Sequence, residues 1–69
     1  MIIKSEVAGT VWAVEVAVGA EVREGDTIVI VESMKMEIPI CAPAGGTVKE
    51  ILVLQGEIVS DSQPVAVIA

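Results

Sequence analysis

Residues 9–22 read GTVWAVEVAVGAEV and residues 46–59 read GTVKEILVLQGEIV. Laid over one another at the distance from Gly9 to Gly46, 37 positions, they match Gly-Thr-Val at the start, then Val16 with Val53, Gly19 with Gly56 and Val22 with Val59, with no gap. Each copy continues through a polar turn, Arg23-Glu24-Gly25-Asp26 or Ser60-Asp61-Ser62-Gln63, into a second apolar run, Thr27 to Glu32 or Pro64 to Ala69. The chain is one strand-turn-strand motif written twice. Two copies are too few to stack as a solenoid, so the repeat points to a pseudo-twofold sandwich.

The local pattern is that of strands. Val14, Val16 and Val18 alternate with Glu15 and Ala17, β-branched residues dominate throughout, and helix formers at helical spacing are missing. Val11 is out of phase with Val14, and Val48 with Ile51, which predicts a β-bulge at the same place in both copies. The expected fold is all-β: a flattened eight-stranded antiparallel barrel-sandwich with internal pseudo-twofold symmetry. Its expected core is Val11, Val14, Val16, Val22, Ile28, Ile30, Val48, Ile51, Val53, Val59, Val65 and Val67. Trp12, the single aromatic residue, shares parity with Val14 and is assigned a half-buried packing role. Gly9, Gly19, Gly25, Gly46 and Gly56 are assigned to turns. Pro39, Pro43 and Pro64, which lack an amide donor, are expected on edges or at strand starts.

Composition limits the chemistry. At 69 residues there is room for one domain, residues 1–69, near the lower limit for a single core. Apolar residues make up 54% of the chain but come in runs of about four, far short of the ~18 needed for a membrane helix. The apolar stretch after Met1 is too short for a signal-peptide core, so a cytoplasmic protein is expected. Ten carboxylates against Lys4, Arg23, Lys35 and Lys49 give a net charge of −6, which repels nucleic-acid backbones. With no His and a single Cys, the chain offers neither a Ser/His or Cys/His pair nor a zinc ligand set. Cys41 has no partner for a disulfide and is assigned as a small apolar filler. Gly45-Gly46 lacks the Lys-Ser/Thr and the helix of a phosphate loop. An independent enzyme is not expected.

The two copies are joined by Ser33 to Cys41, where the repeat is broken. Val29 to Ser33 and Met36 to Ile40 both read as strand, leaving Met34-Lys35 as the turn of a tight hairpin. Such turns favour Asn-Gly or Asp-Gly, because positive φ is costly for a residue with a Cβ. Met-Lys is a poor local choice, and a broken local rule in an otherwise consistent sequence marks a functional constraint. Taken alone, Lys35 could equally be a solubilising charge. Two adaptable, polarisable methionines beside it fit a surface gripped by another protein.

Glu32-Ser33-Met34-Lys35-Met36-Glu37 resembles the attachment motif of biotinyl domains, usually Ala-Met-Lys-Met, with Ser33 in place of Ala. The resemblance takes in Gly25-Asp26 before the hairpin, Ala42-Pro43 and Gly45-Gly46 after it, and the two-copy layout of the biotinyl/lipoyl superfamily. It is nearest to small stand-alone biotin/lipoyl attachment proteins and to the C-terminal domain of biotin carboxyl carrier proteins. The inserted thumb of some biotin carriers is missing, as is a Pro/Ala-rich linker before residue 1. The chain reads as a complete small carrier or an excised domain, and Met1 fits the former.

This resemblance implies that Lys35, on the hairpin tip, takes biotin through an amide, and that Met34, Met36, Glu32 and Glu37 contribute to recognition. It implies a biotin protein ligase as the modifying enzyme, and a biotin carboxylase and a carboxyltransferase between which a carboxyl group is shuttled. In that reading the ligase, and not the tip, activates the amine. Lipoyl domains usually carry Asp-Lys-Ala here, and neither flanking residue is present, which favours biotin over lipoate. A lipoyl carrier of a 2-oxoacid dehydrogenase-type complex, and an unmodified structural domain of the same architecture, are the competing readings.

Overall fold

The computed structural model describes residues 1–69 and contains eight strands and no helix. They are β1 (Ile2–Lys4), β2 (Gly9–Val14), β3 (Glu21–Val22), β4 (Thr27–Ser33), β5 (Met36–Cys41), β6 (Gly46–Ile51), β7 (Ile58–Val59) and β8 (Pro64–Ile68). They form two antiparallel four-stranded sheets, ordered β5-β4-β2-β7 and β1-β8-β6-β3. The ladders do not close into a barrel, so the sandwich is the operative architecture.

Advancing by 37 residues turns β1 to β4 into β5 to β8 and carries one sheet onto the other. Each sheet takes two strands from each copy of the repeat. The copies are interlocked, and neither could satisfy its ladders alone. The equivalence extends to single hydrogen bonds. Gly25 N–H donates to Ala42 C=O as Ser62 N–H donates to Ser5 C=O, both at 2.8 Å. Arg23 N–H donates to Asp26 Oδ2 at 2.8 Å, and Ser60 N–H donates to Gln63 Oε1 at 2.9 Å. The predicted bulges are present at equivalent places: register shifts between Val11 and Ala13 against β4, and between Val48 and Glu50 against β8.

The bulges also correct the expected core. Val11, Val22, Ile28, Val48, Val53, Val59 and Val65 are buried as expected, whereas Val14, Val16 and Ile51 pack against the core only partly buried. Ile30 and Val67 are half-buried; Val29, Val31, Ala66 and Ile68 are buried in their place. The ladder of β4 with β5 shifts between Thr27 and Val29, so the burial of β4 does not follow simple alternation. Ile28, Val29 and Val31 face the core, as do their counterparts Val65, Ala66 and Ile68. Trp12 is not half-buried in the core but 46% exposed, because it is the extra residue of the β2 bulge.

Cys41 is exposed, not interior filler; it ends the edge strand β5 on the outward side of the pleat. Pro39 lies in that edge strand and Pro64 opens β8, as expected. Gly19, Gly25 and Gly56 adopt φ of +93°, +90° and +92° and serve turns. Gly9 and Gly46 do not: they open β2 and β6. A Cβ on Gly9 would collide with Glu32 C=O, and one on Gly46 would lie 2.5 Å from Ala69 C=O. Close backbone approach, not turning, is what excludes a side chain there.

Candidate functional site: the lysine hairpin

The β4–β5 hairpin pairs Val29 with Ile40, Ile30 with Pro39, Val31 with Ile38, Glu32 with Glu37 and Ser33 with Met36. Its base is anchored by Val29, Val31 and Ile40, which are buried, so the tip is carried by the core and not by a loose loop. Met34 and Lys35 close it as a two-residue turn with φ of +53° and +65°. Positive φ at both central residues is the geometry that matches the twist of the flanking strands. For residues with a Cβ it costs about 1–2 kcal/mol each. The conflict read from Met-Lys is therefore real: the backbone has the Asn-Gly conformation without the Asn-Gly residues.

Lys35 is exposed, between Met34 at 92% exposure and Met36 at 65%. None of the side-chain hydrogen bonds of the chain involves residues 32–37. The methionines cover no core, and the amine is presented to solvent on a rigid support. Glu32 and Glu37 are exposed and directly opposite one another, an unfavourable like-charge cross-strand pair. No pocket opens on the surface, and no group of His, Cys, Asp or Glu could hold a metal ion. What the site offers is a projecting primary amine. A cofactor joined by an amide fits it, since the amine has room and needs no cavity.

The repeat explains why there is one such tip. Glu32 is equivalent to Ala69 and Ile38 to Met1, so the counterpart of the hairpin tip is the pair of chain ends. There Met1 N donates to Ile68 C=O at 2.7 Å, and Ile68 N–H donates to Met1 C=O at 2.8 Å. Where one half has Ser33 to Glu37 as a connected turn, the other is open.

The sequence reading placed Lys35, Met34, Met36, Glu32 and Glu37 together, and the structure brings all five to the same end of one hairpin. It missed the outer face behind them. Trp12, Ala13, Ile30, Pro39 and Ile58 lie outward on the same sheet. The signal was available by comparing copies, because Trp12 aligns with Lys49 and Ile58 with Glu21.

The family described as "Biotin-requiring enzyme" matches residues 1–68. The chain is 41% identical over 61 residues to a biotin/lipoyl attachment protein of Bacillus subtilis, covering 88% of this chain and 84% of that one. It is 36% identical over 67 residues to the biotinylated protein TB7.3 homolog of Mycobacterium leprae, covering 97% and 94%. Among solved structures, the urea carboxylase of Kluyveromyces lactis superposes with a TM-score of 0.96 at 38% identity, over 100% of this chain and 6% of that one. A two-sheet carrier fold with a lysine on its hairpin tip is thus the class defined here. The chain belongs to the biotin/lipoyl attachment family.

Proposed function

We propose that this protein is a biotin carrier: Lys35 holds biotin through an amide and presents it in turn to a biotin carboxylase and a carboxyltransferase. The observation that carries this reading is the lysine itself, exposed between two exposed methionines and held on a core-anchored turn whose backbone conformation suits neither residue. The family membership and the likeness to a biotinylated protein and to a region of a carboxylase support it. We take residues 1–69 as the domain and assign the protein to the cytoplasm.

In this reading the chain performs no catalysis. Lys35 Nζ gives up a proton to the biotin protein ligase and attacks the carbonyl carbon of a biotinyl-adenylate, a mixed carboxylic-phosphoric anhydride, breaking its acyl C–O bond, expelling AMP and forming the amide. Holding Lys35 on a rigid hairpin means the ligase orders few residues on binding. Met34 and Met36 supply adaptable contacts to the enzymes that grip the tip, and Glu32 and Glu37 supply charge. When bound, biotin supplies the nitrogen that carries the carboxyl group. The tether makes each delivery effectively intramolecular. The acceptor is chosen by the carboxyltransferase.

Co-expression with a biotin protein ligase, followed by intact-mass measurement, tests the assignment. A single biotinyl increment is expected, and Lys35→Arg should abolish it with the fold unchanged. Modification at Lys4 or Lys49 would overturn the site. A lipoyl increment from a lipoate ligase, with none from the biotin ligase, would transfer the assignment to a lipoyl carrier.

A further inference from the structure

Four of the six ladders join strands before the Met34-Lys35 turn to strands after it: β1 with β8, β2 with β7, β3 with β6 and β4 with β5. Only β2–β4 and β6–β8 lie within one half. The halves are thus held chiefly by each other, while the covalent link between them is two residues at φ of +53° and +65°. A short hinge under strain favours exchange of the segment beyond it with a second copy. A second copy supplies an identical β5 to β8, so the exchange remakes every ladder and the whole core between chains. Only the turn changes.

The register fixes what the turn becomes. Glu32 pairs with Glu37 and Ser33 with Met36; continued without a shift, the same register sets Met34 of one chain opposite Lys35 of the other, and Lys35 opposite Met34. β4 and β5 then run on as one strand with no residue left over, and both hinge residues leave the left-handed region. Side chains two apart on a strand share a face. Lys35 therefore falls on the face of its own Glu37 and beside Glu32 of the second copy, the residue that Glu37 opposes there. In the single chain Glu32 and Glu37 are opposed like charges, and Lys35 makes no hydrogen bond to either. The extended form gives each such pair a lysine in the neighbouring row, which converts a repulsive pair into a balanced cluster.

We propose that a second copy of this chain exchanges β5 to β8 across the Met34-Lys35 hinge, giving a swapped dimer in which the lysine tip no longer exists. The consequence for attachment rests on the biotin-carrier reading: in the dimer Lys35 lies mid-strand against a paired chain, does not project from a turn, and takes no biotin. Attachment in turn removes the Lys35 charge that balances Glu32 and Glu37, so the biotinylated chain stays single. Passage between the two forms breaks all four ladders that join the halves, so each form is separable once made.

The test uses the full, unbiotinylated chain, unfolded in guanidinium chloride and refolded at high and at low concentration. Size-exclusion chromatography with light scattering should show, beside the 7.1 kDa chain, a species of twice that mass. Its share should rise with concentration and its circular dichroism should match that of the single chain. Exchange is read with two variants in a Cys41→Ser background, Glu32→Cys and Glu37→Cys. Neither can bridge its own hairpin, and their cysteines face one another only where β4 of one chain pairs with β5 of the other. Refolded together they should give a disulfide-linked dimer; mixed after separate folding they should not. Equal yields by both routes, or no species of twice the mass at high concentration, would overturn the proposal. Met34→Asn with Lys35→Gly relieves the closed turn, and a dimer opens two turns. At an intermediate guanidinium concentration, where chains exchange, it should lower the dimer association constant about a hundredfold, tenfold for each turn; an unchanged constant would remove hinge strain as the cause. Each isolated form is then given biotin, ATP and a biotin protein ligase. A biotinyl increment on the single chain and none on the dimer is expected, and a dimer modified as fully as the single chain would overturn the masking of Lys35. If the single chain gains no increment, the carrier reading has failed, and the exchange is judged by the disulfide result alone.

Discussion

Replacing Met34-Lys35 by Asn-Gly should make the protein more stable and useless as a carrier. Both residues sit at positive φ, +53° and +65°, at about 1–2 kcal/mol each for a side chain with a Cβ. Lys35→Gly removes that strain but adds roughly 0.5–1 kcal/mol of chain entropy lost on folding, for a net gain of about 0.5–1 kcal/mol. Met34→Asn brings a residue that tolerates this region and should add a similar amount. Nothing is lost in packing, since Met34 is 92% exposed, and no side-chain hydrogen bond is broken. The sum is about 1–2 kcal/mol, and for a domain this small each kcal/mol moves Tm by about 4–8 °C. Thermal unfolding followed by circular dichroism should therefore show Tm higher by roughly 5–15 °C, with no biotinyl increment in the mass spectrum. The single variant Lys35→Arg keeps the strain and should melt within about 2 °C of the parent, as exposed substitutions do. An unchanged or lower Tm for Asn-Gly would show that the tip stores no strain, and would remove the energetic argument that Lys35 is held there for function.

Two further outcomes test how the halves fit together. Gly46→Ala would put a Cβ 2.5 Å from Ala69 C=O and 2.6 Å from Ile68 Cγ2, and the first of these is backbone that cannot turn aside. A loss of about 2–3 kcal/mol is expected in urea unfolding, in the range of overpacking; a midpoint equal to the parent's would mean that the β6–β8 ladder yields freely. Ser62 holds φ at +68°, where its counterpart Gly25 holds +90°. Ser62→Gly should therefore stabilise the chain by about 0.5 kcal/mol and Gly25→Ala destabilise it by about 1 kcal/mol. The same sign for both changes would contradict the equivalence of the two turns.

Much of the site was legible because its signals are local. Met-Lys between two strand patterns declares a hairpin whose turn residues are wrong, and one gapless offset exposes the repeat. The bulges were readable from a phase slip between Val11 and Val14 that recurs in the second copy. Burial along β4 was not. Ile28, Val29 and Val31 are interior while Ile30 is half-buried, an order set by the register shift against β5 and not by alternation. Trp12 failed for a related reason: parity was counted through the residue that breaks parity. Gly9 and Gly46 looked like turn glycines because close approach to Glu32 and Ala69 involves residues distant in sequence.

The sequence by itself determined the strands, the twofold repeat, the bulges and the place of Lys35 at a hairpin turn, since each follows from spacing along the chain or from the backbone preference of a residue. Only the tertiary structure decided that the sheets exchange strands between the copies, that the counterpart of the lysine tip is the pair of chain ends, and that Trp12 and Ile58 share an outer face with Glu32 and Glu37. Those facts depend on which strands lie side by side and in what register. Cross-strand hydrogen bonding and core packing fix that pairing between residues far apart in the chain, and no local pattern carries it.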